Sequence, residues 1–241
     1  MRKFFKYWNL YELIWLALFC GIAIWITLSS GDNFFGFSVF LAGVLCVILA
    51  AKGSIYNYIV GTYNTLGYAW LAWRNGLFGE VGLNLLFYLP MNIAGFFMWK
   101  NHISGGVVTM KKMKAKWLAL IAVASAAATL ILGFCLSMFT AQNTPYIDAG
   151  TNVLSVAATI MMIRRYREQW GAYIILNVLS VIMWTFRTVN GSPEGPLMIV
   201  MWSAYLINAV YGLINWSRGA GNAGGDKQAV SPDTVEGRIG E

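Results

Sequence analysis

Charged side chains are scarce in this sequence. They make up 11% of the 241 residues, whereas a soluble domain carries about 25%. Histidine occurs once, at His102, in a predicted loop. The three cysteines, Cys20, Cys46 and Cys135, lie in apolar segments without motif spacing. These shortages weigh against a disulfide framework, a metal centre and a soluble enzyme. We therefore expect no catalytic residues, no metal and no cofactor.

Long apolar runs are abundant instead. Apolar residues make up 58% of the chain, and the mean hydropathy is +0.59. A membrane-spanning helix needs about 20 mostly apolar residues, and the runs lack the alternation typical of membrane-barrel strands. The sequence predicts an all-α polytopic membrane protein with eight transmembrane helices, at about 13–30, 34–51, 55–73, 77–99, 117–138, 145–164, 170–188 and 197–216.

The basic residues fall mainly on one side of the predicted membrane. With the amino terminus in the cytoplasm, only Arg74 and Arg187 of the 17 Lys and Arg residues lie on the outer side. This bias follows the positive-inside rule and predicts that both termini are cytoplasmic. The net charge of +7 therefore reflects topology, with anionic lipid headgroups rather than nucleic acid as the partner.

A twelve-residue frame occurs twice. "YLPMNIAGFFMW" at 88–99 and "YLINAVYGLINW" at 205–216 share Tyr, Leu, Gly and Trp in the same places. Outer Asn-Gly turns and basic loops at Lys52 and Arg164 also correspond. These matches predict two three-helix repeats that both begin outside, so one further crossing must join them. The result is a 3+1+3 arrangement of parallel repeats, an architecture in which transporters bind substrate where the repeats meet.

The repeats divide the chain into five regions. We predict an extra N-terminal transmembrane helix over 1–33, a first three-helix repeat over 34–100, a basic cytoplasmic loop and linker helix over 101–144, a second repeat over 145–216 and a disordered cytoplasmic tail over 217–241. The tail is glycine-rich and polar. The first helix is expected to be retained, because its apolar run is long and "TLSSGDN" is a poor cleavage site.

Ionisable residues rarely occur within spans unless they function there. Glu80, Asp148 and Arg187 come near the predicted membrane, and each lies by a segment end. The sequence offers no chain of carboxylates to relay protons and no acidic sodium site. This pattern favours facilitated diffusion without ion coupling.

The polar side chains inside the spans are mostly Asn, Tyr and Trp. In the fourth segment they recur every four residues on one face, and Pro90 between them is expected to kink the helix. Amides donate and accept hydrogen bonds, and aromatic rings stack on flat or cationic groups. This lining suits an uncharged or cationic heteroaromatic ligand with sugar hydroxyls. The predicted substrate-binding residues are Trp73, Asn84, Tyr88, Asn92, Asn177, Trp184, Trp202, Tyr205 and Asn208.

Other residues of the same types have simpler interpretations. Tryptophans at segment ends are expected to anchor the helices at the membrane interface; they are Trp8, Trp99, Trp117, Trp170 and Trp216. The matched glycines Gly95 and Gly212 are expected to allow close helix packing.

Several stretches together resemble the PnuC family of bacterial vitamin transporters. They are "GLNLLFYLPMNIAGFFMWK", "RRYREQW", "NVLSVIMW" and "MWSAYLINAVYGLINW", in order between Phe34 and Trp216. The resemblance implies the fold of a full-length relative of the SWEET sugar transporters in the bacterial inner membrane. It implies import of nicotinamide riboside by facilitated diffusion, trapping by phosphorylation inside, and a homo-oligomer such as a trimer.

The residue chemistry fits that ligand, which carries a pyridinium cation, a carboxamide and a ribose. Trp73 and Trp184 would stack on the cation, the four predicted Asn residues would bind the polar groups, and Tyr88 and Tyr205 would border the site. Thiamine and riboflavin, also flat heteroaromatics, remain alternatives. A retinal-type sensor needs a Lys in its last helix, and an intramembrane enzyme needs a nucleophile–base pair or metal ligands in the spans; the sequence provides neither.

Overall fold

The computed structural model of the protein describes residues 8–30, 34–74, 76, 78–138, 144–191 and 195–228. These ranges are almost entirely helical: α1 (Leu10–Ser30), α2 (Phe34–Lys52), α3 (Tyr56–Arg74), α4 (Phe78–Leu83), α5 (Leu89–Lys100), α6 (Ala115–Ser137), α7 (Pro145–Ile163), α8 (Gln169–Val189) and α9 (Gly195–Gln228). A π-helical turn, Asn84–Tyr88, joins α4 to α5 in one continuous helix. A short antiparallel hairpin, β1 (Ile103–Ser104) and β2 (Val107–Val108), follows α5.

The helices confirm a multi-pass, all-helical protein. Counting α4, the π turn and α5 as one, the described ranges hold eight helices, and each covers one predicted segment. Six are long and apolar enough to cross a membrane: Phe34–Lys52, Val81–Lys100, Ala115–Ser137, Pro145–Ile163, Gln169–Val189 and Met198–Gly221. α3 falls outside this set because amide, hydroxyl and tyrosine side chains interrupt its apolar run.

The last helix is longer than expected. α9 continues to Gln228, whereas the sequence predicted disorder from Ser217. Its glycines weaken a helix without breaking it, and Gly219 lies against the Met110 side chain, which packs one turn of this extension. α9 thus covers the first twelve residues of the predicted tail, and residues 229–241 lie outside the described part.

Two compact units make up the chain, Met1–Val108 and Thr109–Glu241. In the first unit α1 packs on α2, α2 on α3, and α3 on α4, the π turn and α5. In the second unit α6 packs on α7, α7 on α8, and α8 on α9. The internal packing order is the same, with α3 or α8 between the outer helices of its predicted repeat. α1 therefore packs on α2 as the linker helix α6 packs on α7.

The same backbone cap ends α2 and α7. Gly53 and Arg165 follow these helices with φ of 75° and 67°, the left-handed conformation of a Schellman cap. In both caps two N–H groups turn back to carbonyls of the last helical turn at 2.8–3.0 Å. The Gly53 carbonyl then accepts the Val108 N–H at 2.9 Å, and the Arg165 carbonyl accepts the Lys111 N–H at 2.8 Å.

Arg165 occupies a position where glycine is normally preferred. Its side chain is buried and donates to the Thr109 hydroxyl at 2.7 Å. Burial lowers the pKa of this guanidinium. The hydrogen bond offsets part of the cost of the backbone conformation and holds the segment before α6 against the end of α7.

The glycines of the repeated frame face aromatic rings. Gly95 lies against the ring of Tyr58, and a Cβ added at Gly212 would lie 2.6 Å from the Trp170 ring. Tyr58 and Trp170 each stand near the start of the second helix of their predicted repeat. The expectation that both glycines allow close packing is confirmed.

The tryptophans that end the frame also join these contacts. The ring centroids of Trp99 and Tyr58 are 4.9 Å apart, and those of Trp216 and Trp170 are 6.2 Å apart. Both Trp99 and Trp216 are fully buried, and Trp170 nearly so. The interpretation of these three as interface anchors is therefore wrong, since their rings fill the interior of their units.

An ion pair with a buried carboxylate fastens α1 to α2. The Glu12 N–H donates to Asn9 Oδ1 at 2.8 Å, and the Asn9 N–H donates to Glu12 Oε2 at 3.0 Å. This reciprocal pair is a capping box. The same Glu12 oxygen lies 2.9 Å from Lys52 Nζ, which also sits 4.6 Å over the Trp8 ring. The first helix is thus an integral part of its unit.

Candidate functional site

The first unit carries amides on the facing sides of α3 and α5. Asn92 Nδ2 donates to the Thr65 hydroxyl at 3.1 Å. Gly61 lies beside this amide: a Cβ there would be in van der Waals contact with Asn92 Oδ1 at 3.4 Å and in a tighter contact with Cys46 Sγ at 3.0 Å. Asn64 instead donates to the Val39 carbonyl at 2.8 Å and braces α3 against α2. Asn92 and Thr65 are therefore the amide–hydroxyl pair of this unit.

The π turn aligns the polar residues of the fourth span. The Leu89 N–H donates to the Asn84 carbonyl five residues earlier. Pro90 follows at once; it has no N–H to donate, which favours such an interruption. In a regular α-helix, residues eight apart are offset by roughly 80° around the axis. The wider π turn reduces this offset, so buried Asn84 and half-buried Tyr88 and Asn92 come closer to one line.

Trp73 stands apart from these amides. It lies in the last turn of α3, is 58% exposed, and makes an edge-to-face contact with Phe78 at 5.4 Å. The structure does not bring it to Asn84 or Asn92. Trp73 thus lies at an exposed end of its unit, apart from these polar residues.

In the second unit, polar residues gather where α8 packs on α9. Asn177 and Ser180 are 4% and 1% exposed. The contact between Trp170 and Gly212 sets the register of these antiparallel helices, so Asn177 is level with Tyr205, and Ser180 with Trp202. These four residues are the α8–α9 polar cluster. Trp202 and Tyr205 meet edge to face at 5.7 Å, and buried Asn208 follows one turn toward the Gly212 end.

Ser180 was not among the predicted site residues. It stands three residues after Asn177 and four before Trp184, so helical spacing alone would have placed it on their face. Within the described residues, Ser180 Oγ and Trp202 Nε1 are buried and have no hydrogen-bond partner. Groups of this kind are costly to bury unpaired. They are therefore available to a bound ligand or water.

Trp184 already binds a cation. The Arg187 guanidinium lies 4.9 Å over its ring, and Arg187 Nη2 is 3.1 Å from both Asp148 carboxylate oxygens. This geometry shows that the indole face can hold a planar cation. A ligand cation would use the other face of the ring or replace the guanidinium.

Two further buried amides were missed by sequence reasoning. Gln169 and Asn57 are both 0% exposed, and each directly precedes the aromatic residue that faces a frame glycine. Asn57 Nδ2 donates to the Ser54 carbonyl at 2.6 Å, while its Oδ1 has no partner among the described residues. Neither amide atom of Gln169 has a hydrogen-bond partner among the described residues. Both residues follow loops that contain basic side chains, where polar residues are usually exposed to solvent.

Comparisons with known proteins agree on one family. Residues 33–218 match the nicotinamide mononucleotide transporter family. A nicotinamide riboside transporter PnuC from Haemophilus influenzae is 36% identical over 222 residues, covering 90% of this chain and 94% of that protein. One from Neisseria mucosa is 34% identical, covering 90% of this chain and 84% of that protein.

A solved structure shows the same likeness in three dimensions. The crystal structure of the vitamin B3 transporter PnuC aligns with a TM-score of 0.72 and 33% sequence identity. The alignment covers 89% of this chain and 94% of the chain in the crystal structure. With the family match over residues 33–218, these findings show that the chain belongs to the PnuC family of membrane transporters.

Proposed function

We propose that this protein carries nicotinamide riboside across the bacterial inner membrane by facilitated diffusion. The observation that carries the proposal is the α8–α9 polar cluster, which buries amide, hydroxyl and indole groups at two successive levels of the second unit. A packed membrane core without a polar ligand would have little reason to keep such groups. The similar proteins from two bacteria are named for this substrate.

The charges favour the riboside over a phosphorylated nucleotide. A phosphate is typically bound by free Arg or Lys groups. The basic residue near the polar cluster, Arg187, is already paired with Asp148. The pyridinium cation of the riboside instead suits aromatic rings and neutral amides.

Facilitated diffusion fits the same pairing. Asp148 is the carboxylate closest to the polar cluster along α7 and α8, and Arg187 neutralises it. A carboxylate held in this way is a poor carrier of a coupled proton or sodium ion. Uptake would follow the substrate gradient, which phosphorylation inside the cell would maintain.

Each predicted site residue takes a role by its environment. Asn177 and Ser180 hydrogen-bond the carboxamide or ribose, with Trp202 and Tyr205 beside them. Asn208 extends the polar lining of this second unit, and Trp184 stacks on the pyridinium. Within the first unit, Asn84, Tyr88 and Asn92 offer a polar face of their own to the substrate, and Trp73 guides entry. Gln169 and Asn57 supply unpaired amide atoms to the substrate nearer the basic loops.

The finer architecture belongs to the proposal too. We infer two parallel three-helix repeats in a 3+1+3, SWEET-like order, with cytoplasmic termini and a homo-oligomeric, trimeric assembly. The matched caps at Gly53 and Arg165 and the matched contacts of Gly95 and Gly212 support the repeats. The five predicted regions remain part of the proposal, with α9 continuing into the predicted tail as far as Gln228.

The test is equilibrium binding to detergent-purified protein, followed by uptake into proteoliposomes. Nicotinamide riboside, nicotinamide mononucleotide, thiamine and riboflavin are titrated in parallel. We expect binding of the riboside alone, and uptake that is unchanged when sodium or proton gradients are imposed. Preference for another vitamin would overturn the substrate, and gradient-driven accumulation would overturn the mechanism.

A further inference from the structure

The second unit contains a long groove separate from the α8–α9 polar cluster. Its volume is about 1480 Å³, more than the 300–1,000 Å³ of a typical small-molecule site. α7 lies between α6 and α8 and packs on both, and the groove runs over it. Small residues keep the groove open; they include Ala122, Ala126, Gly150, Ala157 and Gly171.

The groove has the length of one lipid leaflet. It follows α6 from Leu118 to Leu130, a rise of about 18 Å at 1.5 Å per residue. The hydrocarbon core of a bilayer is about 30 Å thick, so each leaflet fills about half of it. Apart from Ser125 and Thr129, the lining along this stretch of α6 is apolar, which suits an acyl chain.

One end of the groove is basic. Lys112, Lys114, Arg167 and Glu168 line it there. Glu168 is engaged by the protein, accepting the Met113 N–H at 3.0 Å and lying 3.2 Å from Arg167 Nε. Lys112 and Lys114 have no ion-pair partner among the residues that the structure describes, so this end is net positive.

We propose that the groove binds one anionic phospholipid, with an acyl chain along α6 and the phosphate at Lys112 and Lys114. Basic pockets between transmembrane helices bind anionic headgroups in this way. The transported cation does not fit, because the basic end repels it and the lining offers few hydrogen bonds. A second copy of the chain fits poorly as well, since its cytoplasmic side is also rich in Lys and Arg and supplies no counter-charge.

The experiment measures lipid binding by native mass spectrometry of the full chain in nonionic detergent. Phosphatidylglycerol and phosphatidylcholine with identical acyl chains are titrated in parallel. The double variant K112Q/K114Q should bind phosphatidylglycerol roughly 30-fold more weakly, from about fivefold per lysine. The control variant K100Q/R164Q removes two exposed cations that do not line the groove, and it should bind phosphatidylglycerol normally.

A second variant tests the acyl-chain part without changing charge. A126F fills the groove and should lower binding of both lipids, while A126L should have a smaller effect and guards against misfolding. Equal affinity for the two lipids, or an equal loss in the control, would overturn the proposal. Normal binding of phosphatidylglycerol by the A126F variant would also overturn it. Dissociation of an oligomer by A126F would do the same, because the groove would then be an interface between copies of the chain.

Discussion

Replacing Gln169 with leucine should make the protein more stable and a worse transporter. Both amide atoms of Gln169 are buried without a hydrogen-bond partner among the described residues. Each unsatisfied group costs about 1–3 kcal/mol, and leucine of similar size has none. If half of this cost is recovered, the folded state gains about 2 kcal/mol. A chain of this length would then melt about 4–8 °C higher.

Transport should change in the opposite direction. If the Gln169 amide binds the substrate, as we propose, Q169L loses one or two hydrogen bonds of about 1 kcal/mol each. Riboside uptake into proteoliposomes should fall about five- to thirty-fold. Thermal unfolding in detergent and initial uptake rates on the same preparation measure both effects.

Asn57 provides the matched control. Its amide donates to the Ser54 carbonyl at 2.6 Å. N57L therefore removes a stabilising hydrogen bond together with the cost of burying the unpaired Oδ1 atom. Its melting temperature should change little or fall. A Q169L protein that is less stable than the parent would refute the burial argument. One that is more stable and transports normally would remove Gln169 from the substrate path.

Three further variants test the site and the packing. G212A should lose about 1–3 kcal/mol of stability, since its Cβ meets the Trp170 ring; G171A, where a Cβ has open space, should not melt lower, and equal losses would contradict this. N177L should weaken riboside binding about tenfold in calorimetry, while V178L at an exposed position binds normally; unchanged affinity would exclude Asn177. E12Q should lose about 1–3 kcal/mol, because a neutral amide replaces the carboxylate that accepts the Lys52 hydrogen bond at 2.9 Å; an unchanged melting temperature would show that α1 is held by packing alone.

Hydropathy was enough to predict the helices, but it could not tell interior aromatic residues from interfacial ones. Trp99 and Trp216 end apolar runs, where interface anchors are expected, yet both rings are fully buried. Their burial depends on Gly95 and Gly212, which let a ring from another helix approach. The pairing of glycine with a distant aromatic residue is a tertiary property that helical periodicity does not reveal.

The candidate site was predicted in part for similar reasons. Asn177 is level with Tyr205, and Ser180 with Trp202, because antiparallel packing sets their register, whereas sequence spacing only assigns these residues to helix faces. The π turn before Pro90 was expected only as a kink. Gln169 lies beside charged residues in "RRYREQW", and its complete burial comes from the folded turn rather than from composition.

The place of α1 on α2 bears on how such a chain could arise. Three predicted crossings leave a polypeptide on the opposite face of the membrane, so joining two three-helix copies end to end would invert the second. Four crossings return it to the starting face. Because α1 packs on its unit as α6 does, a single tandem duplication of a four-helix ancestor would account for the two predicted parallel repeats without any later insertion.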